Sequence, residues 1–170
     1  MPHGSINDSA HEAWVRAGRS DWPPAPAGAP RREQPPAAQP APGGEGVARY
    51  TVAAGGIAQA LDGQVGDAAR GRALLANRAA TQCLLCHAAP IPEERFQGNL
   101  GPPLEGVGAR LTVSALRLRV VDSRRLNPAS IMPAYHRVDH LHQVGRAWQG
   151  KPLLTAGQIE DVVAYLASLQ

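Results

Sequence analysis

Cys83-Leu84-Leu85-Cys86-His87 uses both cysteines of the chain and sets a histidine directly after the second. Two thiols at this spacing can each form a thioether to a haem vinyl group, and the adjacent imidazole then lies under the macrocycle as an iron ligand. The pattern is that of covalent c-type haem attachment, and it constrains the fold to one that wraps a large flat cofactor. Aromatic content agrees: from Tyr50 onward only Tyr50, Phe96, Tyr135, Trp148 and Tyr165 offer rings. Haem c, one per chain, is expected to supply the missing bulk.

Paired cysteines have other uses, and each meets an obstacle here. A thioredoxin-like site follows a strand, whereas the residues before Cys83 read as helix. A structural zinc needs a second pair of ligands, which only scattered histidines could offer. A disulfide across two residues is strained and closes almost no loop. No Ser/His/Asp set or paired carboxylates mark independent catalysis, so no catalytic residue is assigned.

Residues 1–49 read as a disordered tail and 50–170 as one globular haem-binding domain. Nine of the sixteen prolines fall in the first 48 residues, where no apolar period is sustained and burial cannot offset the entropy of ordering. Trp14 and Trp22 are the large apolar exceptions. Residues 1–48 hold no apolar stretch of signal-peptide type, and no membrane span is readable. Haem is joined to such a motif outside the cytoplasm, so a periplasmic location is nevertheless expected.

The domain reads as all-α with long loops. Gly66 or Asp67 starts a helix through Leu75 that leads into the haem motif. Thr112 caps a segment with Val113, Leu116 and Val120 on one face, and Asn127-Pro128 opens a further short helical turn ended by Met132-Pro133. Thr155 and Gln158 form a capping box, with Leu154 and Ile159 as its hydrophobic staple. Ile159, Val162, Val163, Leu166 and Leu169 then recur at helical spacing as a buried stripe. Glu160 and Asp161 suit the positive end of that helix dipole.

Met132 is the only methionine besides Met1, and its loop position suits a thioether approaching the open face of the haem as the second axial ligand to His87. His136, His140 and His142 are rivals. The carbonyl of Pro102 is placed to accept the Nδ1 hydrogen of His87, which would fix the ring. Arg110 is a candidate partner for a haem propionate.

The order of Cys83 to His87, Gly101-Pro102, Met132-Pro133 and Ala164-Tyr165-Leu166 resembles class I cytochromes c. The resemblance implies an all-α wrap around one haem, with the first and last helices crossing near Gly71 and Tyr165. Within that group, the stretches Gly66 to Arg72, Leu118 to Asp122, Ile131 to Tyr135 and Ile159 to Leu166 are similar to the SoxX family, the monohaem subunits of the SoxAX complex of bacterial sulfur oxidation. It further implies a periplasmic electron-transfer subunit beside a dihaem or monohaem SoxA-type cytochrome. That complex joins thiosulfate oxidatively to a cysteine of the SoxYZ carrier and passes electrons to a downstream acceptor cytochrome. The bond-forming haem belongs to the partner.

A free-standing electron carrier has the same haem chemistry and is the alternative. Residues 1–49 hold five basic and five acidic residues, so the domain carries the whole excess of +3. Arg110, Arg117, Arg119, Arg124 and Arg125 form a cluster that could steer a partner. Nucleic acid is not expected, since no recognition motif accompanies the charge.

Overall fold

The computed structural model describes residues 46–170 together with Ala13, Arg16 and Ala17. The chain divides into two units, Met1–Pro35 and Pro36–Gln170. In the first, the Ala17 N–H donates to the Ala13 carbonyl at 3.2 Å. Trp14, Trp22 and nearly all of the tail expected over 1–49 lie outside the described residues. Ala48, however, is buried in the core, so the packed body reaches ahead of the expected start at Tyr50.

Each main helix begins where a side chain can accept a free backbone N–H. Helix α1 (Ala68–Ala76) is capped by Asp67, whose carboxylate accepts the Arg70 N–H at 2.7 Å. The single turn α2 (Cys83–Cys86) follows, then the short α3 (Val107–Arg110). Helix α4 (Val113–Asp122) is capped by Thr112, and α5 (Ala156–Ser168) by the full Thr155/Gln158 capping box. Short 3-10 turns lie at Leu61–Gly63, Ser123–Arg125 and Arg146–Trp148. Among the described residues no strand forms beyond one isolated bridge, Ala53 to Gly56.

Helix α5 is the hub. Ile159, Val162, Val163 and Leu166 point inward from it and are at most 6% exposed, each worth roughly 1.5–3 kcal/mol when removed from water. Leu154 and Ile159 are both buried beside the capping box. Helix α1 crosses α5 at Gly71, where a Cβ would overlap the Asp161 carbonyl and lie 2.9 Å from the Tyr165 Cβ. Only glycine admits that approach. An ion pair rivets the crossing: Arg70 donates twice to Asp161, at 2.7 and 2.9 Å, and the Asp67 N–H adds a third bond at 2.8 Å.

The helical turn expected at Asn127-Pro128 does not form. Helix α4 continues instead into the 3-10 turn Ser123–Arg125, and the Asn127 side chain accepts the Ala129 N–H at 3.1 Å. Too few residues separate Pro128 from Pro133, and the residue before a proline is driven out of helical geometry.

Candidate functional site

The one-turn helix α2 displays the attachment motif by burying Leu84 completely, while Leu85 remains 52% exposed. Gln82 enters the turn with φ of 57° and His87 leaves it extended. The following loop is strapped against the turn at three points: the Gly98 N–H to the Leu84 carbonyl at 2.8 Å, Gly101 to Cys86 at 2.7 Å, and Leu104 to Ala88 at 2.7 Å. Gln97 stitches the same region by accepting from the Ala89 N–H at 2.6 Å and donating to the Ile91 and Glu94 carbonyls. No sequence signal singled out Gln97, because an isolated glutamine gives no hint of which loop carbonyls it will meet.

His87 Nδ1 lies 2.7 Å from the Pro102 carbonyl oxygen. A carbonyl only accepts, so Nδ1 carries the hydrogen, and in the neutral ring this tautomer leaves the lone pair on Nε2, the form a metal-ligating imidazole requires. Gly101 makes room for the ring, since a Cβ there would overlap it. Arg110 donates to the carbonyls of Glu105 at 2.7 Å and Pro103 at 2.9 Å, bracing the same loop from the cavity wall.

Cys83, Cys86, His87 and Met132 all line one largely apolar cavity of about 790 Å³, a size within the range of cofactor sites, roughly 300–1,000 Å³. The two cysteines are free and half-buried. Burial pushes the Cys83 thiol above its ordinary range, against the opposing effect of hydrogen bonds to Thr81 and Tyr135. No group of three or more His, Cys, Asp or Glu side chains that could hold a metal ion occurs among the described residues. Two thiols, an oriented imidazole and a thioether on one apolar cavity form a donor set that fits a covalently held haem.

The Met132 loop is held by hydroxyls. Ser130 Oγ accepts the Met132 N–H at 3.3 Å, and Ser123 Oγ donates to the Met132 carbonyl at 3.2 Å. The rival histidines lie off the cavity wall. His136 is fully buried, accepts the Ala48 N–H on Nε2 at 2.9 Å and donates from Nδ1 to the Leu154 carbonyl at 2.7 Å. His140 and His142 are exposed.

The arginine cluster dissolves into separate tasks. Arg117 is buried and pairs with Glu160, so it belongs to the core and not to a docking face. Arg125 is shared between Asp122 at 3.9 Å and the face of Tyr50 at 6.0 Å. Arg119 and Arg110 line the cavity, and Arg124 is exposed beside it. Leu85, Leu100 and Ile131 surround the same opening and are 52%, 68% and 72% exposed.

A one-turn Cys-x-x-Cys-His helix, a first and a last helix crossing at Gly71, and no strand among the described residues define a class I cytochrome c fold. No family model and no curated protein matches the chain. Among solved structures it is similar to the crystal structure of SoxXA from P. pantotrophus, with a TM-score of 0.65 and 33% identity over 71% of this chain and 93% of that one. The chain belongs to the SoxX-type cytochromes.

Proposed function

We propose that this chain is the electron-transfer subunit of a SoxAX-type complex and carries one haem c. Cys83 and Cys86 would hold it through thioethers, and His87 and Met132 would ligate its iron. The bound group supplies one-electron chemistry at iron. The protein's own share is orientation and exclusion: the Pro102 carbonyl holds the His87 ring with Nε2 free, and the serine-bound loop presents Met132 to the same apolar cavity. Arg110, fixed by two loop carbonyls, places positive charge on the wall, suited to a propionate. The observation that carries the reading is the presence of both cysteines, the oriented His87 and Met132 on one cavity.

The proposed partner is a SoxA-type cytochrome of one or two haems, and through it the SoxYZ carrier, to whose cysteine thiosulfate is conjugated. Electrons leave through this chain to a downstream cytochrome in the periplasm. The exposed Leu85, Leu100 and Ile131 around the cavity support docking there, because apolar side chains of that size at an opening favour a covering partner. No described helix is long and apolar enough to cross a membrane.

Purification from the native host's periplasm, followed by haem spectroscopy and identification of what co-elutes, tests this reading. Haem retained through denaturation and a stable heterodimer with a larger haem protein are expected. A monomer beside that partner, whose deletion leaves thiosulfate oxidation unaltered, overturns the complex and favours a free-standing carrier.

A further inference from the structure

Tyr135 joins the two sides of the cavity. Its hydroxyl donates to the buried carbonyl of Thr81, two residues before the first attachment cysteine, and lies 3.9 Å from Cys83 Sγ. Its backbone is fixed just as firmly: the N–H donates to Val120 at the end of α4 at 3.3 Å, and its carbonyl accepts the Leu154 N–H at 2.9 Å. Ring and hydroxyl therefore span from the Met132 loop to the start of α2.

In the free thiol form two donors share the Thr81 carbonyl, the Tyr135 hydroxyl and the Cys83 S–H at 3.8 Å. Thioether formation adds the thiol across a vinyl double bond and moves its hydrogen to carbon, so the S–H donor is lost. The Tyr135 hydroxyl is then the one side-chain donor left to that carbonyl, and an unpartnered buried carbonyl is costly. We propose that Tyr135 is a positioning residue that locks Met132 over the haem iron, through a hydroxyl bond to the Thr81 carbonyl that haem attachment makes indispensable. This inference rests on the haem reading above and extends it to a residue that touches neither iron nor substrate.

The test uses full-length haem-loaded protein and the Tyr135→Phe variant, which removes one oxygen and keeps the ring. Imidazole competes with Met132 for ferric iron, so its association rate reports how often the Met132 loop opens. That rate is expected to rise about fivefold in Tyr135→Phe, the factor one buried hydrogen bond is worth, with a partial loss of the Met-to-iron charge-transfer band. Asp67→Ala, which removes the α1 cap at a residue whose partners Arg70 and Asp161 lie off the cavity wall, serves as a control for general destabilisation and should leave the rate alone. An unchanged rate in Tyr135→Phe, or an equal rise in both variants, overturns the proposal while the haem reading stands. A wild-type protein without covalent haem overturns both. Should Tyr135→Phe fail to mature, NMR of the wild-type holoprotein decides: the Tyr135 hydroxyl proton must appear as a slowly exchanging resonance, and its absence overturns the inference.

Discussion

Arg117 and Glu160 meet side by side in the interior, with the guanidinium donating to both carboxylate oxygens at 2.7 and 2.8 Å and both side chains nearly excluded from water. Each also serves the segment before α1: Arg117 donates to the Ile57 carbonyl at 2.7 Å, and Glu160 accepts the Leu61 N–H at 3.0 Å. Glu160→Gln keeps the shape and leaves a buried cation uncompensated. Its expected cost is about 3–5 kcal/mol of stability, read as a lower denaturant midpoint with an unchanged slope. Replacing both residues by apolar side chains should cost less than the two single changes combined, because the orphaned charge disappears with its partner.

Gly101 faces the His87 ring so closely that any Cβ would overlap it. Gly101→Ala therefore has to push the ring or the loop away, which breaks the alignment with the Pro102 carbonyl. The expected result is a loss of roughly 1–3 kcal/mol, as for other overpacked sites, together with a reduced yield of covalent haem. Gly150→Ala, at a position with open space around it, strains only a loop with positive φ and should leave haem yield unchanged.

The Asp161 carboxyl is held below its ordinary range, first by the hydrogen bond from Arg70 and then by the Asp67 N–H, against the effect of desolvation. A carboxylate depressed in the folded state stabilises the fold above its unfolded pKa, and that contribution is lost as pH falls through the folded value. Thermal stability should therefore fall below about pH 4. In Asp161→Asn the protein should melt lower at neutral pH, and its melting temperature should fall less steeply across the acid window. A pH series by calorimetry measures both.

What the sequence discloses well is local. Asp67, Thr112 and Thr155 are readable as caps because the N–H they accept lies three residues away. The haem motif is readable because its chemistry depends on spacing alone. Arg117 looks like a member of a surface cluster because the partner that draws it inward, Glu160, is 43 residues distant. His136 likewise resembles a free ligand until Ala48, 88 residues earlier, occupies its Nε2. Glu160 and Asp161 suit the helix dipole in sequence, a local effect, while their hydrogen bonds run to α4 and α1. Tyr135 suffers the same blindness: its hydroxyl partner is 54 residues away.

Met132 and His136 stand four residues apart and make opposite predictions in the haem-loaded protein. Met132→Ala removes a thioether that lines the cavity, so the charge-transfer absorption of Met bound to ferric iron should vanish and the reduction potential should fall, since a neutral thioether favours ferrous iron. His136→Phe leaves the Ala48 N–H and the Leu154 carbonyl without partners. It should cost about 1–3 kcal/mol for each group stranded and leave spectrum and potential in place. The pair is diagnostic because stability and ligation separate: one variant changes the iron with modest unfolding, the other unfolds more easily with its iron unchanged. If His136→Phe shifts the potential while Met132→Ala does not, the axial assignment is wrong and the buried imidazole must reach the cavity.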